Sequence, residues 1–145
     1  MDLSALLPAE TDSADATRAL GQRLAAHLEP GDVLALTGDL GAGKTHLAQG
    51  VAAGLGLDAG AVTSPTFALV QEHGHGALLH LDLYRIESDA EAARLGLDEL
   101  LDGDAVVLVE WPERAAAWLP PRTVWIRLSH LGGDRRRVER VMGKG

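Results

Sequence analysis

The sequence predicts an α/β domain of three layers, with a mostly parallel central sheet and antiparallel additions to it. Short apolar runs rich in valine and leucine alternate with helix-patterned segments, the order expected of parallel strands joined through crossover helices. One of these runs leads straight into a glycine-rich stretch, Gly38 to Gly43, and then into a helical pattern. A hairpin signal in mid-chain and an alternating run near the end supply the antiparallel additions.

Each element has its own signal. Ser13 to Leu28 reads as a helix, with Leu20, Leu24 and Leu28 on one face and Pro30-Gly31 to end it. Asp32 to Thr37, DVLALT, is a short apolar strand, and Lys44 to Leu55 a helix broken by Gly54 and Gly56. Phe67 to His73 and Ala77 to Ile86 flank Gly74-His75-Gly76 and predict a hairpin. Ser88 and Glu91 make a capping box for a helix from Asp89 to Leu95. The β-branched run of Ala105 to Trp111, AVVLVEW, marks a buried strand. Thr123 to Ser129 alternates, with Val124, Ile126 and Leu128 on one face and Trp125 and Arg127 on the other. No repeat, linker or low-complexity tract interrupts the chain, so residues 1–145 are expected to form one domain.

Composition narrows the function classes. A chain of 145 residues is long enough for one real core. Its net charge of −8 should repel nucleic acid and anionic membranes, with the basic stretch DRRRVER as the local exception. With no cysteine there is neither a disulfide nor a thiolate metal site, which fits a reducing compartment. No apolar run has the roughly 18 to 20 residues that span a bilayer. The first residues, MDLSALLPAE, lack the basic start of a signal peptide, so a cytoplasmic protein is expected, with no membrane partner.

The glycine-rich stretch carries the chemistry. Gly38-Asp39-Leu40-Gly41-Ala42-Gly43-Lys44-Thr45 matches G-x-x-x-x-G-K-[ST] and lies between a predicted strand and a predicted helix. Glycines let backbone N–H groups turn inward around phosphate oxygens, and the helix start adds its partial positive charge. A glycine-rich turn that merely happened to precede a lysine would not require that setting. The domain is therefore expected to be P-loop NTPase-like. Lys44 should reach the outer phosphates, with no packing role of its own, and Thr45 should ligate Mg²⁺.

Two acids end apolar runs: Asp82 in LLHLD and Glu110 in VVLVE. Either could hold a metal-bound water or orient the attacking one, and either could be an ordinary strand-end acid facing solvent. Arg85 could offset phosphate charge or pair with a surface acid. The chain contains no asparagine, so an N-K-x-D guanine-reading motif cannot be written and ATP is the favoured nucleotide. His73 and His75 flank a turn glycine with no third ligand nearby, which reads as a solvated turn. Arg135 to Arg137 lack interleaved aromatics, so they read as a solvated or partner-facing strand edge.

GDLGAGKT, SPTF (Ser64 to Phe67), HLDLYR (His80 to Arg85), Leu95-Gly96 and VEWPE (Val109 to Glu113) follow one another in an order and spacing similar to the TsaE family. These are the bacterial ATPases of tRNA threonylcarbamoyladenosine synthesis. The resemblance runs from about Ala16 to Arg135. It implies a Mg-dependent ATPase, with ATP and Mg²⁺ as cofactors and Gly38 to Thr45 as the phosphate loop. Thr45 and Glu110 would serve the metal, and Lys44, Asp82 and Glu110 catalysis. Ser64 to Phe67 would respond to the γ-phosphate, Trp111 would lie beside the metal carboxylate, and Ser13 and Arg135 would reach the base.

The resemblance also implies partners like TsaD and TsaB, which transfer threonylcarbamoyl to the adenosine beside the anticodon of ANN-decoding tRNAs. Contact with tRNA would come only through that complex, which ATP hydrolysis would reset. A P-loop small-molecule kinase and an ATP-gated binding module are the alternatives. One departure is His46, which stands where the family often has a second threonine; it could slow turnover or simply face the loop.

Overall fold

Strand runs and helix patterns alternate in space as they do in sequence. The computed structural model describes residues 2–39, 42–62 and 70–142. These form β1 (Ala9–Thr11), α1 (Ala14–Ala25), β2 (Val33–Thr37), α2 (Lys44–Gly54), β3 (Val70–His73) and β4 (Leu78–Asp82). After them come α3 (Asp89–Leu95), α4 (Leu97–Leu101), β5 (Val106–Glu110), β6 (Val124–Gly132) and β7 (Arg135–Val141), with 3-10 turns at Ala59–Ala61 and Pro112–Trp118. Among the described residues the strands make one sheet in the order β1-β7-β6-β2-β5-β4-β3. Neighbours from β6 through β2 and β5 to β4 are parallel, and β3, β7 and β1 add antiparallel margins.

The pleat divides the core in two. Leu34, Leu36, Leu78, Leu108 and Ile126 face one side and pack with Leu20 and Leu24 of α1 and Leu47 and Val51 of α2. Val33, Leu79, Leu81, Val107 and Val109 face the other and pack with Ala92, Leu97, Leu101 and Ala115. Beyond Trp125, the outer face of β6 and β7 carries charge: Arg137 Nε donates to Glu139 Oε2, and Arg127 Nη1 lies 3.7 Å from Glu139 Oε1.

Helices α1 and α2 meet backbone to backbone. A Cβ at Gly50 would stand 2.0 Å from the Arg18 carbonyl oxygen, and one at Gly21 would stand 2.4 Å from that of Leu47. Only a residue without a side chain allows that approach, and it locks the helix that opens with Lys44 onto the N-terminal helix.

Several boundaries depart from expectation for local reasons. The first helix tightens after Ala25 into i→i+3 bonds, with His27 N donating to Leu24 O at 2.9 Å and Leu28 N to Ala25 O at 3.1 Å. The strand expected to reach Ile86 stops at Asp82, whose Oδ1 accepts from Tyr84 N at 2.9 Å and turns the chain. Ser88 caps α3 through Glu91 N as expected, but Glu91 Oε2 accepts from Glu87 N, one residue before the box position. Ser64 to Phe67 lies outside the described residues, as do Leu40 and Gly41 of the loop.

Candidate functional site

Parallel register brings the expected acids to one edge of the sheet. Glu110 ends β5 beside Leu36 of β2, and Asp82 ends β4 beside Glu110. The chain leaves β2 at the same edge through Thr37, Gly38 and Asp39 and enters α2 through Ala42 and Gly43. Gly38 (φ +142) and Gly43 (φ +97) both take positive φ, and a Cβ at Gly38 would lie 2.4 Å from the Leu128 carbonyl oxygen. Gly43 is the N-cap of α2, makes no side-chain cap hydrogen bond, and no acid stands in the helix's first turn. The first N–H groups of the helix are thus open to an anion, and the geometry suits a phosphate.

Lys44 opens that helix and is buried, with its ammonium nitrogen 2.7 Å from the Gly38 carbonyl oxygen that accepts from it and 4.2 Å from the Trp111 ring centroid. The expectation that it has no packing role is corrected here: the indole holds the ammonium by cation–π attraction. Burial pushes its pKa down, and the carboxylates of Glu110, Glu113, Asp82 and Asp39 hold it up. Those same acids would repel an anion unless a cation came with it. Thr45 follows on the first turn, half-buried.

Trp111 reaches Lys44 from an uncommon backbone. Pro112 disfavours right-handed helix at the residue before it, and Trp111 takes the left-handed region at φ 56, ψ 48. Tyr84 packs on its indole at 5.0 Å between centroids, and the Arg114 guanidinium lies 5.7 Å from the tyrosine centroid. An open cleft of about 380 Å³ lined by Thr37, Gly38, Asp39, Trp111, Glu113 and Arg127, among others, adjoins the loop.

Oxygen donors that a hard metal could use come from the Glu110 and Asp82 carboxylates, which end neighbouring strands, and from Thr45 in the first turn of α2. Among the described residues no three His, Cys, Asp or Glu side chains cluster as a complete metal site. The two strand-end carboxylates fit the donor set of Mg²⁺, which takes one or two carboxylates and completes its shell with phosphate oxygens and water. The solvated turn expected at His73 and His75 is met by His75, which is exposed, and not by His73, which ends β3 half-buried and whose imidazole pKa burial pushes down.

On the far side of Gly43 lies a small cavity lined by Ala14, Thr17, Gly43, His46, Asp134 and Arg136. Arg136, not Arg135, places its side chain against Gly43, with Cγ and Nε each 3.7 Å from where a Cβ would be. Arg135 is exposed one residue earlier, on the opposite face of β7. The Ser13 hydroxyl caps α1, accepting from Ala16 N at 3.0 Å, and so stands beside this cavity rather than in it. His46 Nδ1 lies 3.3 Å from Arg18 Nη2, which ties it to α1.

Sequence reasoning missed His80, whose ring contacts Glu110, and the lysine-bearing role of Trp111. His80 did carry a signal: it is a polar residue inside the apolar run LLHLD, two positions before Asp82 and therefore on the same strand face.

Comparison with known proteins gives one consistent result. A family model described as threonylcarbamoyl adenosine biosynthesis protein TsaE matches residues 11–138. The tRNA threonylcarbamoyladenosine biosynthesis protein TsaE of Bacillus subtilis is 42% identical over 130 residues, 88% of this chain and 80% of its own. That of Treponema pallidum is 40% identical over 127 residues, 87% of this chain and 93% of its own. The crystal structure of YdiB from Bacillus subtilis superposes with a TM-score of 0.73 at 37% identity, covering 91% of this chain and 82% of that one.

Proposed function

The chain belongs to the TsaE family, and from that premise we propose that it is the Mg-dependent, ATP-hydrolysing subunit that serves threonylcarbamoyl modification of tRNA. One observation carries the reading most directly. The uncapped start of α2 and a buried, cationic Lys44 converge behind two positive-φ glycines, while two carboxylates end the neighbouring strands beside them.

Lys44 is already aimed at the loop interior, where the Gly38 carbonyl and the Trp111 face hold its charge until outer phosphate oxygens take it over. The N–H groups at the start of α2 bind the inner phosphates. Thr45 and Glu110 would hold Mg²⁺, which when bound offsets charge on the bridging and terminal phosphate oxygens. Asp82, fixed by the Tyr84 N–H, lies next to Glu110, and between them they orient the attacking water. Arg136, Thr17 and His46 line the place where the base-bearing end of ATP enters. Partners similar to TsaD and TsaB would use the hydrolysis, and tRNA would be met only through them.

Calorimetric titration with Mg-ATP tests the reading. Lys44→Ala should lose about 100-fold or more in affinity, since charge-assisted contacts to phosphate are among the strong ones. It should also leave Trp111 without the cation on its face, so the indole emission should shift in the absence of nucleotide. Unchanged affinity would remove the phosphate-loop assignment.

A further inference from the structure

Most of β4 is what a buried strand should be: Leu78, Leu79 and Leu81 are apolar and nearly or fully inaccessible. His80 is the exception, fully inaccessible in the same strand, at the level of Leu108 on β5. Its pleat position puts it on the face shared with Asp82 and, across the register, with Glu110. An imidazole there is costly unless it is hydrogen-bonded. One nitrogen is satisfied: Nε2 donates to Glu110 Oε2 at 2.5 Å. The other, Nδ1, is buried with no hydrogen-bond partner among the described residues. An apolar side chain would fill this place without that cost, so packing alone does not account for histidine.

The two strand-end carboxylates are held differently. Asp82 is fixed by main chain, through the Tyr84 N–H at 2.9 Å. Glu110 is fixed at one oxygen by a side chain from the next strand. Glutamate has one more rotatable bond than aspartate, and its carboxylate needs an anchor to present a fixed oxygen. We infer that His80 is a positioning residue, clamping Glu110 Oε2 so that Oε1 is presented to the metal beside Lys44 and Thr45.

This rests on the nucleotide-binding reading above, and its test separates the two. His80→Met removes the donor at similar volume, and His80→Gln restores an N–H near the position of Nε2. ATP affinity is measured for the native chain and both variants with Mg²⁺ and again with chelator, and thermal denaturation is followed alongside. The native chain should bind ATP more tightly with Mg²⁺. His80→Met should lose that increment by about 10- to 100-fold, the usual cost of removing an outer-shell partner, while its metal-free affinity stays within about two-fold. His80→Gln should recover most of the increment. Should His80→Met fail to fold, His80→Leu takes its place in the comparison.

A full Mg²⁺ increment in the donor-free variant would overturn the inference. So would equal impairment of the glutamine and donor-free variants, because histidine would then matter only for packing. A native chain that binds ATP no better with Mg²⁺ would overturn the metal reading itself, and this inference with it.

Discussion

At Asp82, burial and then the neighbouring Glu110 carboxylate push the carboxyl pKa up, against the Tyr84 N–H between them in strength, and more weakly His80 and Lys44, which pull it down. The sign for stability follows. An acid whose pKa is raised on folding favours the folded state below its unfolded value of 3.8, and that contribution is lost as pH rises through the folded pKa. At neutral pH the ionised group is therefore a liability in the nucleotide-free protein. Asp82→Asn keeps the oxygen that accepts from Tyr84 and removes the charge. It should raise the melting temperature near pH 7, with a gain that shrinks as the pH falls toward 3.8. A gain that is constant across that range, or a loss at pH 7, would contradict this. The places of Lys44 at a helix start and of Asp82 and Glu110 at strand ends were legible in sequence, because apolar runs and the glycine-lysine spacing mark them. The Lys44–Trp111 contact and the His80–Glu110 contact were not, since each joins side chains from separate elements, a helix start with a turn in the first and two neighbouring strands in the second.

At the scale of elements, the least legible feature is how α1 meets α2. Glycine in a helical run reads as a breaker, and Gly54 was read so. Gly21 and Gly50 are instead places where two backbones touch. Gly50→Ala would drive a methyl into the Arg18 carbonyl, so α2 must move or tilt away from α1. Overpacking of this kind costs about 1–3 kcal/mol, and more where backbone must shift. Urea denaturation should show a loss of at least that size. Mg-ATP affinity should fall as well, because the start of α2 moves with the helix. Unchanged stability would mean that the helices are not in backbone contact. The ends of the sheet escaped sequence reading for a different reason. β1 has three residues, too few for a periodic signal, and RRRVERV of β7 places one fully buried apolar side chain, Val138, among charged ones.

At the scale of the molecule, the parallel centre and antiparallel margins were readable from the spacing of strands and helices, but the strand order was not. Nothing local says that β5 follows β2 in space, yet that adjacency sets Glu110 beside the glycine-rich loop that leaves β2. It also concentrates negative charge where the sequence shows only a net −8. Four acids lie near one lysine, while Arg135, Arg136, Arg137 and Arg140 lie along β7, with Arg136 alone placed against Gly43. No helix among the described residues is long and apolar enough to cross a membrane.

The central claim is that Glu110 serves hydrolysis at this edge and is not merely a strand-end acid. Single-turnover phosphate release tests it, with partners similar to TsaD and TsaB present and Asp82→Asn as the comparison. Glu110→Gln keeps the shape of the side chain while removing the charge that would face Mg²⁺ and the basicity that aligns water. It should retain ATP and release phosphate about 100-fold more slowly or worse, roughly 3 kcal/mol of transition-state stabilisation. Native-like release from Glu110→Gln, alongside a dead Asp82→Asn, would contradict the account and move the metal role to Asp82.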